Sequence, residues 1–434
     1  MSKKRRAVVL GAYGFIGSAC VRALMGADYK VIGIGRSESA ARQSAMDIDW
    51  SIRDISTTTV DEWIECFADT DIVVNASGAL QDGLKDNLYK IHEQAVASIA
   101  TALAGSQTKL IHISAAGASI TAETEFMRSK ARGDAIIQSS DLNWCILRPT
   151  LVLGAQAYGG TALLRACAAT PLVGFKCFES AQVQTISLDE LAGAVVTVAN
   201  GLVASRQTYD LTEAGRQSFW LLVKSVRKWL GFPSWKTIIP LPKPALSLSV
   251  VVADGLGWLG WRAPLRKNAV RELSRGINGD PSAWLAAGGA RFSSLAQTLD
   301  GLPQTSQERA FARLYLLLPM SVFTLSAFWI LSGVIGFWSF ESAKSILTER
   351  GFSETWAMGS VAVGSLLDIF LGGLLLVRRW SARAAAGMIL LSFAYMAGAA
   401  LWAPDLWADP LGAMVKVVPG LLPALMILML LEDR

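Results

Sequence analysis

Short apolar runs alternate with helical periodicities in the front of the chain, and long unbroken apolar stretches fill its rear. From residue 6 to about 150, Ala7–Leu10, Lys30–Ile34, Asp71–Asn75, Lys109–Ile113 and Asn143–Leu147 read as buried strands. Between them, Phe15–Met25, Val60–Ala68, Asp86–Ala104 and Thr124–Ser139 repeat apolar residues at helical spacing. Apolar strands separated by helices predict an α/β Rossmann arrangement, a doubly wound parallel sheet. Gln182–Leu188, a helix over Asp189–Leu202 and a strand Gln207–Leu211 are expected to form a small α+β substrate lobe.

The pattern then loosens. Phe219–Leu230 predicts an amphipathic helix ending at Gly231 and Pro233, and Pro240, Pro242 and Pro244 interrupt the chain beyond it. Ala245–Trp261 is apolar but holds Asp254 and three glycines. It reads as an interfacial or lobe helix, with Trp258 and Trp261 suited to a headgroup layer. After Arg313 come Leu314–Trp338, Ala357–Val377, Ala384–Trp402 and Leu411–Leu431. Each reaches the roughly 20 residues that cross a hydrocarbon core, so an all-α four-helix transmembrane bundle is expected. The implied domains are 1–213 (nucleotide-binding, with its small lobe), 214–310 (irregular helical linker) and 311–434 (membrane).

Composition supports the split. Of 434 residues only 17% are charged, and the mean hydropathy is +0.39. The net charge of +5 is modest and forms no stripe for nucleic acid. It matters for topology instead. Arg309 and Arg313 precede the first span, and Arg378, Arg379 and Arg383 lie between the second and third. The third connection carries Asp405 and Asp409. The positive-inside rule then predicts both termini and the nucleotide domain on the cytoplasmic side of an inner membrane, with lipid as a partner. Five cysteines without CxxC spacing imply a reducing compartment, and two histidines are too few for a metal site. His112, inside an apolar run, reads as structural. Lys3–Arg6 imitates a signal peptide, but cleavage after it would cut through a glycine motif over Gly11–Gly17.

This motif reads Gly11-Ala-Tyr-Gly14-Phe15-Ile16-Gly17 and is set between a strand and a helix. Backbone N–H groups at such a turn aim at a phosphate, and each glycine removes a side chain that would block the turn, the pyrophosphate or the packing. Arg36 comes after the second strand, where an acidic residue would accept from a ribose 2′-OH. A guanidinium attracts a 2′-phosphate, so NADP(H) is expected over NAD(H). Asp54 is a candidate for the adenine amino group. Asn75, Ala76 and Gly78 are expected to run past the adenosine side.

Gly11/Gly14/Gly17, Asn75-Ala-Ser-Gly78, Ser114, Arg128-Ser-Lys130 and Leu147-Arg-Pro-Thr150 with Gly154 together resemble an atypical, extended-type short-chain dehydrogenase/reductase. The likeness is to the branch related to the nucleotide-binding accessory subunit of respiratory complex I, and covers residues 6–230. The rear, with Arg313-Leu-Tyr-Leu, Asp368, Asp409-Pro-Leu-Gly and Lys416, resembles the DoxX-like four-helix membrane family. The first resemblance implies that Ser114 orients a substrate and that Lys130 holds the nicotinamide ribose. The tyrosine that would transfer the proton is Phe126, four residues before Lys130.

Three readings are open at this point. Hydride transfer could use another proton source such as Lys130, it could serve a quinone-like acceptor, or the domain could bind cofactor without turnover. In the rear, Asp368 falls near the middle of its span. A pair with Lys416, lining a polar pocket, is one expectation for this intramembrane acid. A capping role for Asp368, with Lys416 snorkelling to the interface, is the other. Protein partners are not indicated.

Overall fold

The computed structural model describes residues 4–83, 86–261, 264–408, 410, 412 and 414–431. They divide into two units, the first reaching Val251 and resuming over Pro264–Ala312, the second comprising Val252–Ala263 and the chain from Arg313.

The first unit is built on seven strands: β1 (Arg6–Leu10), β2 (Lys30–Gly35), β3 (Asp49–Ile52), β4 (Ile72–Asn75), β5 (Lys109–Ile113), β6 (Asn143–Pro149) and β7 (Gln207–Leu211). They are all parallel, in the order β7-β6-β5-β4-β1-β2-β3. Residues of β1 alternate between two cores, as the two-residue period of a strand requires. Ala7 and Val9 face one core with α1 (Phe15–Gly26) and the helix Leu188–Ala199. Val8 and Leu10 face the other, which holds Trp63 and Phe67 beside α3 (Val60–Cys66) and Ile137 of α5 (Glu125–Gln138). Helix α2 (Glu38–Gln43) lies between β2 and β3, and α4 (Ala95–Ala102), entered through a π-helical turn at Lys90–Gln94, lies between β4 and β5. The chain reverses its strand order between β1 and β4, the switch point where ligands bind in open α/β sheets.

Two expectations are corrected here. Gln207–Leu211 belongs to the central sheet, paired with β6, and the helix before it packs on α1. Its inward residues Tyr209 and Leu211 are buried, which satisfies a sheet edge better than a separate lobe would. Nor do residues 214–310 form a linker of their own. Trp220, Leu222, Val226, Leu295 and Leu299 close a third core with Leu153 and Leu164, inside the first unit.

Among the described residues three helices are long and apolar enough to cross a membrane: Ser306–Trp338 (its N-terminal end in the first unit, the rest in the second), Glu354–Leu375 and Ser381–Trp402. The expected fourth is shorter. Val417–Leu430 has 14 residues, about 21 Å at 1.5 Å each, and Pro423 lies inside it. Asp409 and Leu411 lie outside the described residues. Asp368 is buried and pairs otherwise than expected: it accepts hydrogen bonds from Ser332 (2.8 Å) and Tyr395 (3.0 Å). One carboxylate thus joins three helices, while Lys416 stands at the N-terminus of the short helix. A Cβ at Gly333 would lie 2.4 Å from the Ser365 carbonyl oxygen, which explains the small residue at that helix crossing. Arg350 of the first connection meets Asp405 of the third at 2.6 Å, placing those two connections on one side.

Candidate dinucleotide site

The glycine loop leaves β1 and enters α1 with Gly14 as its N-cap, and no side chain caps that end. Gly11 has φ +73°, open to glycine, and its amide donates to Ile34 O. A Cβ there would lie 3.1 Å from Ala76 O, and one at Gly17 would lie 2.1 Å from Gly11 O. The loop, the start of the helix and the Asn75–Ser77 turn are therefore in close contact because the side chains are missing. No acidic residue occupies the first turn of α1, so the positive helix end is left to an anion. These features fit a dinucleotide pyrophosphate. Phe15 stacks on Tyr158 at 6.0 Å, and Ile16 packs against the core below.

At the end of β2 the structure adds a residue that sequence reasoning passed over. The Tyr13 ring covers Gly35, where a Cβ would come within 2.1 Å of it. Its hydroxyl accepts from the amides of Arg36 (3.1 Å) and Ser37 (3.2 Å). Its place inside the glycine motif was the available signal. Arg36 pairs with Asp86 at 2.8 Å, both side chains about one-third exposed. Partial burial opposes its charge, but Asp86, with Asp54 and Tyr13 beyond it, outweighs this and holds the guanidinium more firmly protonated than usual. Asp54 accepts from the Ser56 amide (2.9 Å) and hydroxyl (2.7 Å), which shapes the turn after β3.

Where β4 and β5 end, the surroundings are polar and buried. Asn75 accepts from the Ser77 amide (3.1 Å) and turns its side-chain amide to His112 Nδ1 (3.2 Å). His112 is thus an acceptor at Nδ1. Burial, then Lys130 and Arg148, push its pKa well below the usual range, so it is neutral and structural. Lys130 and Asp134 lie one turn apart on α5. Ser114 donates to Asp134 Oδ2 (2.9 Å), which also accepts two bonds from Arg148 (2.9 and 2.7 Å). Lys130 is buried and donates to Ile113 O at 2.9 Å. Burial lowers its pKa to about 8, with Asp134 acting in the other direction.

Phe126 lies edge-on to His92 with 5.8 Å between centroids. His92 Nε2 accepts from the Ala79 amide (3.2 Å), so its proton is on Nδ1 and goes to Ser129 Oγ (2.8 Å), which donates to Phe126 O (3.0 Å). Burial, chiefly, pushes its pKa to about 2. Both histidines are neutral, and His112 carries its proton on Nε2, 3.6 Å from Asp134 Oδ1. His92 and Asp134 were given no site role from the sequence, and Ser129 and Arg148 entered only inside the motifs Arg128-Ser-Lys130 and Leu147-Arg-Pro-Thr150, although the four-residue spacing of Lys130 and Asp134 puts those two on one helix face. Glu125 pairs with Arg128 and Arg132, and Glu123 with Arg275.

Residues 11–170 match the NAD(P)H-binding family model, and residues 326–427 match that of the DoxX-like family. The first unit shares its fold with several solved structures. WbmH of Bordetella bronchiseptica, solved with NAD+, superposes with a TM-score of 0.52 at 17% identity, covering 69% of this chain and 97% of that one. WbmG of the same organism, solved with NAD, gives 0.51 at 14%, over 69% and 93%. A Burkholderia cenocepacia protein described as a putative epimerase gives 0.52 at 16%, over 70% and 98%. No curated protein matches the chain. The chain therefore joins an NAD(P)H-binding Rossmann domain to a DoxX-like domain.

Proposed function

We propose that this is a membrane-anchored, NADP(H)-preferring oxidoreductase that reduces a quinone-like acceptor, with Lys130 as its proton-transferring residue. The bound cofactor would supply hydride. The carrying observation is the proton inventory around Lys130. Phe126 has no proton to give, Ser114 has committed its own to Asp134, His92 is neutral and hydrogen-bonded at both ring nitrogens, and neutral His112 is buried with its Nε2 proton turned to Asp134. Lys130 spends one of its N–H groups on Ile113 O, and burial lowers its pKa to about 8.

Reducing a simple carbonyl leaves a strongly basic alkoxide that needs a positioned acid. Reducing a quinone leaves a phenolate-like oxygen of acidity near that of tyrosine, about 10. An ammonium with a pKa of about 8 is acid enough for that task. The apolar rear of the chain supports an acceptor dissolved in lipid. A non-catalytic cofactor-binding role in a membrane assembly is the second reading, favoured by Phe126 alone.

Oxidation of NADPH by a short-chain quinone, measured on the full chain in detergent, tests the proposal. Steady turnover is expected, and cofactor binding without turnover would establish the second reading. Phe126→Tyr should raise the rate with carbonyl substrates and leave the quinone rate within a few-fold. A quinone rate that climbs as much would show that the phenol, not Lys130, sets proton transfer.

Arg36 supports the cofactor preference. On binding, a 2′-phosphate would compete with Asp86 for the guanidinium. Arg36→Glu removes one charge-assisted attraction and adds a repulsion, each of order 1.5–3 kcal/mol or less at a partly exposed site. NADPH should bind roughly 10- to 100-fold more weakly, and NADH should become the tighter ligand in a fluorescence titration. An unchanged order would remove Arg36 from the 2′-phosphate site.

A further inference from the structure

Helix Lys243–Trp258 presents an apolar stripe outward. Leu248, Val251, Val252 and Trp258 are 65, 68, 47 and 64% exposed. At 100° per residue they share one face, while Ala253 and Gly257 on the opposite face are buried. The usual order of an amphipathic surface helix is therefore inverted. In water such a stripe is an aggregation hazard. The helix has 16 residues, about 24 Å, too short to span a core of about 30 Å.

Its C-terminal end is fixed at a definite level of the membrane unit. The Trp261 indole donates to Leu376 O at 2.7 Å, and the Arg378 amide donates to Leu259 O at 3.0 Å. Leu376 comes directly after the span Glu354–Leu375. Around that span end stand exposed Arg379 and Arg383, both lying on the Trp380 ring at 5.5 and 4.8 Å. An apolar stripe, indoles and guanidinium groups at the end of a span are what a lipid interface attracts. Within the first unit the chain leading to the helix is also apolar outward: strand Thr237–Pro240 pairs with Val173–Lys176 and exposes Ile238 and Ile239 beside Leu172 and Phe175.

We propose that Lys243–Trp258 lies flat in the headgroup layer on the arginine-rich side, and that Arg379 and Arg383 there select anionic lipid. The assignment rests on the membrane-anchored reading. Its occupant is the bilayer surface itself. Insertion of the outward stripe offsets the exposure of four large side chains, and the guanidinium groups take lipid phosphate as well as carrying topology.

The test uses the full chain in nanodiscs of phosphatidylcholine with phosphatidylglycerol, with Cys167→Ser and Cys177→Ser removing thiol background. Bimane is attached singly at Val251→Cys, at Val363→Cys on the second span, or at exposed Ile64→Cys as an aqueous reference. Val251 should be quenched several-fold more by a lipid doxyl group near the headgroup than by iodide, with Ile64 the reverse. Iodide quenching at Val251 equal to that at Ile64 overturns the proposal. Val363 reports separately on the membrane reading, because a label there that iodide reaches and deep doxyl groups do not would remove the spans themselves. In native mass spectrometry the chain should retain phosphatidylglycerol over phosphatidylcholine, and Arg379→Gln with Arg383→Gln should abolish that preference. Equal retention by the unsubstituted chain refutes the anionic-lipid selection.

Discussion

Lys130→Met should lower NADPH-dependent quinone reduction by about 10²- to 10⁴-fold, the usual worth of a positioned acid. Methionine keeps the length and volume of the side chain in its buried slot beneath Gly78, so the loss reports on the ammonium rather than on a cavity. The pH profile separates proton transfer from mere positioning. The donating species is the protonated amine, so the rate should fall as pH rises through about 8, the value to which burial brings this lysine. Lys130→Arg keeps a cation for the ribose but does not deprotonate in this range. It should be slow and should lose the fall above pH 8. If the falling limb persists in the arginine variant, another group titrates and the assignment to Lys130 fails.

Asp134→Ala should be the most destabilising single substitution in the cleft. The carboxylate is 1% exposed and receives three hydrogen bonds, one from Ser114 and two from Arg148. Its removal strands a largely buried guanidinium and a serine hydroxyl together. Breaking one side of a buried ion pair costs about 3–5 kcal/mol, and thermal unfolding of the full chain in detergent measures it. Arg148→Met in the same chain should recover part of the loss, because no charge is then left without its partner. Full additivity of the two substitutions would show that the pair is not coupled. Asp134→Asn retains an acceptor for Ser114 and should cost less than alanine.

The fold of the front was legible wherever a strand is buried on both faces. β1, β2, β4, β5 and β6 were all marked by apolar runs, and their ends fell within two residues of expectation. β3 was missed because it is an edge strand of four residues beginning with Asp49, with Ile52 exposed, so it carries no continuous apolar signal. β7 was recognised as a strand but placed outside the sheet, since periodicity marks an element and not its neighbour. The short last helix illustrates the same limit: hydropathy counts apolar residues, and prolines decide how many of them stay helical.

The site was legible to a different depth. The glycines, Arg36, Asn75, Ser114 and Lys130 are readable from local motifs, and they lie at the carboxyl ends of the parallel strands or on the helices that follow them. Asp86, His92 and Arg148 come from distant segments and owe their roles to buried partners. Asp368 was visible as an intramembrane acid, but its partners Ser332 and Tyr395 are ordinary residues of other helices and leave no mark in a sequence.

The ring of Tyr13 over Gly35 has a consequence for how this cleft can change in evolution. An aspartate or glutamate at position 35, the simplest route to gripping a ribose diol, would need the space that ring fills. Moving the ring releases the two amides that its hydroxyl now holds, and with them the course of the chain into Arg36. The two positions are therefore epistatic. An acidic residue at position 35 must be preceded by a smaller residue at 13, and a chain that keeps Tyr13 keeps its glycine as well.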